Sequence, residues 1–205
     1  MSSTPESHVV VFTSDVHGNN VQYRRMVSYA LEINAQSVVI GGDLSPKGDS
    51  LDDSIREMLR NPDAVNFIEV QRRFLSDTLP RLLRPLKENN IPVFLIMGND
   101  DFRTNSSVIE GRDDFQAIHG KRHPLTLEID IVGYSCVNLT PFLLKDWELH
   151  DVNGRQPKPN QEGREEQWAR YAHQGVYSTP RWVEQHLVHP FVESPESIEH
   201  DLQGD

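Results

Sequence analysis

The stretch VVVFTSDVHGN at residues 9–19 decides how this chain is read. A β-branched apolar run, Val9–Phe12, ends abruptly at Thr13, Ser14 and Asp15, with His17 and Gly18 just beyond. Such a run predicts a short buried strand followed by a turn. The plan recurs twice. Ser37–Ile40 ends at Gly41, Gly42 and Asp43, and Ile91–Met97 ends at Gly98, Asn99 and Asp100. Between the first two runs, Val21, Met26, Tyr29, Ala30 and Ile33 fall at roughly helical spacing. Between the second and third, so do Phe67, Val70, Phe74, Leu75, Leu79, Leu82, Leu83 and Leu86, with Pro80 and Pro85 expected to bend or break that helix. The order strand–helix–strand–helix–strand predicts an α/β fold with parallel pairing and right-handed crossovers.

The polar residues collect where each run ends, and the carboxyl ends of strands are where open α/β sheets bind ligands. Asp15 and His17 are two apart, so an extended segment points both the same way. Gly18 lets the backbone turn closely past a bound ion. Carboxylate, imidazole and amide oxygen together suit Mn²⁺, Fe²⁺ or Zn²⁺ better than Ca²⁺. Asp43 is placed to share its carboxylate between two ions, and two metals about 4 Å apart activate water and clamp a phosphoryl group.

The ordered blocks Asp15-Val16-His17-Gly18-Asn19, Gly41-Gly42-Asp43 and Gly98-Asn99-Asp100-Asp101 resemble the calcineurin-like metallophosphoesterase superfamily, over roughly Val9 to Leu139. The resemblance implies two packed mixed β-sheets flanked by helices, a four-layer sandwich. It implies a dinuclear site in which Asp15 and His17 hold one divalent ion (Mn²⁺, Fe²⁺ or Zn²⁺), Asp43 bridges both and Asn99 holds the second. The implied reaction is hydrolysis of a phosphate mono- or diester by a metal-bound hydroxide. Two departures stand out. Many members have a leaving-group histidine where this chain has Asp100, which makes Asp100 the candidate catalytic residue. The later histidine blocks of the family are not recognisable among His150, His173, His186, His189 and His200. Residues 1–205 therefore read as a single domain, incomplete at its C-terminus. The alternative is an inactive relic or scaffold that binds metal weakly and acts through a partner.

Composition narrows the rest. With 20 basic and 31 acidic residues the chain carries −11, which argues against a general binder of nucleic acid or lipid surfaces and suits a cation site. No apolar run approaches the ~20 residues of a membrane span. The polar start lacks the apolar core of a signal peptide, and Cys136 is the only cysteine, so a reducing, cytoplasmic setting is expected. The oligomeric state is left open.

Beyond the third run, Leu125–Ile131 alternates, Gly133 supplies a turn and Tyr134–Leu139 alternates again, which predicts a hairpin. Residues 151–166 read as an exposed loop, Trp147, Trp168 and Trp182 as local anchors, and Ser197–Gln203 as the start of a helix. Several residues keep two readings. Asn19 either touches substrate phosphate or caps the first helix, and Asp101 either caps or orients its neighbours. His186 with His189 has the spacing of two ligands on one helix face, or of a solvated face; His119 and His123 pose the same choice near a loop. Arg72, Arg73, Arg81 and Arg84 are a phosphate stripe or the wet side of an amphipathic helix. Cys136 is expected to be buried. Asn105 and Asn138 match glycosylation acceptors, discounted for want of a secretory signal.

Overall fold

The computed structural model describes residues 7–138, 140–149, 175–186 and 197–203. The expected 151–166 loop, Trp168, His150, His173 and His189 lie outside them. The expected runs form strands β1 (Val10–Thr13), β2 (Ser37–Gly41) and β3 (Val93–Ile96) of one parallel sheet, joined by a two-residue β4 (Gln116–Ala117) in the order β1-β2-β3-β4. Val11 lies opposite Val38, and Val39 opposite Phe94, so the three apolar runs stack in register. Their strand-end polar residues consequently arrive at one edge of the sheet.

Helix α1 (Asn20–Glu32) starts at Asn19, whose side-chain oxygen accepts from Val21 N and Gln22 N, so Asn19 is the helix cap. Tyr23, Met26, Val27 and Ala30 turn inward. Helix α2 (Leu51–Arg60) has no counterpart in the sequence reading, although Ser50 caps it and Leu51, Ile55 and Met58 form its buried stripe. The long second helix is interrupted: α3 (Phe67–Arg73) passes through a π-helical turn at Phe74–Thr78 into α4 (Leu79–Glu88). Pro80 has no N–H to give and its ring crowds the carbonyl four residues back, so the wider turn just before it absorbs the mismatch. Pro85 lies within α4 without ending it. The main core packs α1 and α4 against the sheet through Tyr23, Ala30, Val38, Ile40, Leu75, Leu83 and Leu95.

The expected hairpin forms at a different place. The strands are β5 (Arg122–Pro124) and β6 (Asp130–Val132), and Gly133 instead bridges His119 in parallel. Leu125–Ile129 is the turn: Leu125 N donates to Ile129 O, and the Thr126 hydroxyl oxygen accepts from Glu128 N and Ile129 N. The alternation of Leu127 and Ile129 is therefore not a buried face; both are exposed. Strands β7 (Gly175–Ser178) and β8 (Val183–His186) make a second hairpin, which closes a smaller core with Leu51, Ile55, Ile68, Phe102 and Leu144. His186 thus ends a strand rather than lying on a helix, and His189 lies outside the described residues. Helix α6 (Ile198–Gln203), following the short α5 (Ser106–Ile109), appears where expected, and Tyr134 OH donates to its Asp201 at 2.7 Å. Among the described residues, no helix is long and apolar enough to cross a membrane.

Strand β1 has no partner on its outer side among the described residues, and Phe12 there is 66% exposed. Parallel sheets normally cover both faces, and an open apolar edge strand pairs readily with another chain. The 205-residue chain should sediment with a concentration-dependent coefficient that Phe12→Lys flattens. Concentration-independent sedimentation of the unmutated chain would show that this strip drives no association.

Candidate metal centre

The loops after β1 and β2 are zipped together by their backbones. Asp15 N donates to Gly42 O at 3.2 Å, His17 N to Asp43 O at 2.8 Å and Gly18 N to Leu44 O at 2.9 Å. Asp15, His17 and Asp43 all hold left-handed φ values of 56°, 48° and 51°. Asp and His tolerate this region better than most side chains, yet a cluster of such residues marks a site where the surroundings dictate the backbone. Gly18 must be glycine: its φ is +69° and a Cβ there would lie 2.5 Å from the Pro46 ring. Gly98 is equally constrained, since a Cβ would sit 2.3 Å from Asp43 Oδ1 and 2.4 Å from Asp43 N.

The third block is held by Asp101. Its fully buried carboxylate accepts from Leu44 N, Ser45 N and Gly98 N, each at 2.9 Å. Of the two readings of Asp101, the orienting one is what the structure shows. Gln71 adds a second clamp: its Nε2 donates to Pro46 O at 3.1 Å and Asp100 O at 2.8 Å, and its Oε1 accepts from Phe102 N. Trp147 Nε1 donates to Asp101 O, so this expected local anchor reaches the centre itself.

Three ligand atoms, one each from Asp15, His17 and Asp43, lie within 4.8 Å of one another. Ligands on one ion at about 2.1 Å are at most about 4.2 Å apart, close to this span. His17 Nδ1 is buried without a hydrogen-bond partner, and Asp43 uses one oxygen to accept from Asp100 N at 2.8 Å. Asn99 follows β3 on the adjoining loop; its Nδ2 donates to Asp100 Oδ1 at 3.1 Å, which leaves its amide oxygen for another use. The donor set and the orphaned nitrogen therefore fit a divalent cation. Burial, with Lys47 assisting, lowers the His17 pKa below its ordinary value, favouring the neutral form that binds metals. Burial pushes Asp43 up to about 7. Asp100 Oδ2 is 2.9 Å from Lys47 Nζ and 3.9 Å from His17 Nδ1.

The other sequence candidates sit elsewhere. His119 Nδ1 accepts from Ser135 N and its ring packs on Trp147, while His123 lies against Phe94. Arg73 and Arg84 pair with Glu69 and Glu88, Arg81 donates to Asp77 O, and Arg72 donates to Asn105 and Pro180 O, so these four arginines form no phosphate stripe. Cys136 is buried, as expected. Asn105 is fully buried, which closes it to glycosylation. Lys47 and Gln71 were invisible as site residues. Gln71 left one signal, a polar residue on the core-facing side of a helix.

Replacing Asp101 by Ala strips three N–H donors, two of them buried, of their acceptor and should cost about 3 kcal/mol or more, read as a lower urea midpoint. A change within ~0.5 kcal/mol would mean that the loops hold without it. Asp43 gives a pH signature in chelator. Its folded pKa lies above the unfolded value near 4, so the unfolded state releases the proton first. Stability from this group is complete at low pH and is lost as pH rises through about 7. The difference in melting temperature between the unmutated chain and Asp43→Asn should therefore shift against the unmutated chain between about pH 4 and 7. A pH-independent difference would refute the buried, protonated Asp43.

The sequence model of the calcineurin-like phosphoesterase family matches residues 8–198. No curated protein matches the chain in sequence. Two solved structures are similar in part. One is 14% identical with a TM-score of 0.43, over 61% of this chain and 51% of that one. The other, TT1561 of Thermus thermophilus, is 16% identical with a TM-score of 0.37, over 58% of this chain and 44% of that one. The chain thus spans about half the length of these structures. With ordered strand-end ligands and a family match across almost all of its length, the chain belongs to the calcineurin-like phosphoesterase family.

Proposed function

We propose that the strand-end cluster binds two divalent metal ions and hydrolyses a phosphate mono- or diester. The observation that carries this reading is the convergence of Asp15, His17 and Asp43 within 4.8 Å, from two loops locked backbone to backbone. In this reading Asp15 and His17 would hold one ion, Asp43 would serve both and Asn99 would serve the second. When bound, such a pair supplies a water activated near neutral pH and positive charge for the phosphoryl oxygens. The chain's own residues prepare for this. Burial favours neutral His17 and raises the pKa of Asp43, and the clamps of Asp101 and Gln71 fix the positions of the loops after β2 and β3. Asp100, the candidate for the leaving-group role, has its two oxygens on Asn99 and Lys47. Both oxygens of Asp100 are thus engaged within the protein.

A second reading has one observation behind it: among the described residues, the cluster contains three ligand residues and no additional histidine. An inactive relic that binds metal weakly would look the same. The two readings separate on hydrolysis of an aryl phosphomonoester and an aryl phosphodiester with Mn²⁺ and with EDTA, beside Asp43→Asn. Turnover that needs Mn²⁺ and vanishes in the mutant supports the enzyme; turnover equal to the mutant's supports the relic.

Metal binding itself has a separate readout. Saturation to about 100 times Kd stabilises a folded chain by about 2.7 kcal/mol. Mn²⁺ should raise the melting temperature at pH 7.5, less so at pH 5 where Asp43 keeps its proton, and hardly at all in Asp43→Asn. A melting temperature unchanged across millimolar Mn²⁺ would exclude a formed site.

A further inference from the structure

Gln71 is a fully buried amide on a helix whose inward side is otherwise apolar. Ile68, one turn back, packs with Phe102 in the smaller core, and Phe74 and Leu75 follow in the main one. A buried amide costs free energy unless its hydrogen bonds are made. Here they are. Nε2 donates to Pro46 O at 3.1 Å and to Asp100 O at 2.8 Å, and Oε1 accepts from Phe102 N at 2.9 Å. Only this orientation of the amide serves two carbonyls and one N–H. A methionine would suit the apolar neighbours but would leave those three backbone groups without this partner. The helix that presents Gln71 is itself anchored: Asn66 caps it by accepting from Glu69 N, and Asn105 Nδ2 donates to Ile68 O at 3.0 Å.

These bonds divide the metal centre into two parts. The loops that carry Asp15, His17 and Asp43 hold one another, through Asp15 N on Gly42 O, His17 N on Asp43 O and Gly18 N on Leu44 O, and Gln71 bonds to none of these groups. Asn99 is held differently. Before it, Gly98 N donates to Asp101; after it, Asp100 N donates to Asp43 Oδ1 and Asp100 O accepts from Gln71. The Asn99 side chain bonds to Asp100 Oδ1, so its aim follows Asp100. We propose that Gln71 is the positioning residue for the second cation. By fixing the Asp100 backbone it sets where the Asn99 amide oxygen stands relative to Asp43, and so the affinity of the ion those two residues share. The ion at Asp15 and His17 is insulated from it. This assignment rests on the metal reading above. Removing a group that orients a metal ligand from outside typically weakens metal affinity about 10- to 100-fold.

The test is equilibrium dialysis against graded Mn²⁺ with the bound metal counted, which needs no turnover. The unmutated chain should bind two ions, and Asn99→Ala should weaken one of them and so mark it as the second. Fewer than two bound ions in the unmutated chain would sink the metal reading and the role of Gln71 with it. With two ions bound, Gln71→Met should weaken the one marked by Asn99→Ala about tenfold or more and keep the other within about threefold. Ile68→Ala controls for a merely structural role: it removes apolar packing from the same helix, breaks no side-chain bond to the loops and should leave both ions within about threefold. Unchanged affinity for the second ion in Gln71→Met overturns the proposal while the metal reading stands. So does an equal loss of both ions, a loss that Ile68→Ala reproduces, or an Asn99→Ala chain that holds both ions as before. If Gln71→Met has no cooperative melting transition, Gln71→Glu takes its place. Its carboxylate keeps an acceptor for Phe102 N and, ionised, gives no donor to either carbonyl, so the same outcomes decide.

Discussion

The buried carboxylate of Asp101 is the interaction on which the site depends. One side chain accepts from Leu44 N and Ser45 N on the loop after β2 and from Gly98 N on the loop after β3. Asp43 precedes the first pair of donors and Asn99 and Asp100 follow the last, so every ligand-bearing turn beyond β1 is tied to this group. Burial raises its pKa while the hydrogen bonds oppose the rise. A buried charge of this kind is tolerated only because its lone pairs are met. The β1 loop joins indirectly, since His17 N and Gly18 N donate to Asp43 O and Leu44 O. Trp147 then connects the clamp to the segment that carries the second core, through its bond to Asp101 O.

The sequence disclosed what depends on short-range pattern. Strands β2 and β3 are nearly continuous apolar runs, as strands buried in a parallel sheet must be, while β1, equally apolar, leaves Val10 and Phe12 exposed. The polar ends pointed to Asp15, His17 and Asp43, and the family resemblance added Asn99. Helix α2 was missed: Ser50 three residues before Asp53 and a stripe at Leu51, Ile55 and Met58 were its signals, but Gly48 and the acidic run around it resemble a loop. The hairpin was misplaced because alternation implies a face only if something covers it. Leu127 and Ile129 alternate into solvent, and a side-chain oxygen at Thr126 set the turn instead. Lys47 lay beyond reach for another reason. In Pro46-Lys47-Gly48 it reads as a solvated turn lysine, and its partner Asp100 is 53 residues away in the chain. Asp101 was seen as an orienter in outline, but not the three donors it satisfies.

The electrostatics of the site explain why such rigidity is needed. Asp15, Asp43, Asp100 and Asp101 all act on one another or on His17, and like charges at this density lift Asp43 in the same direction as burial does. Left free, these loops would separate to relieve the repulsion. Instead the cost is carried by the fold: left-handed backbone at three ligand residues, a glycine at 98 where any Cβ would strike Asp43, and a carboxylate clamp behind them. Because the scaffold already holds Asp15, His17 and Asp43 together, little ordering would remain for a cation to impose, and relief of the repulsion would add to any gain from binding.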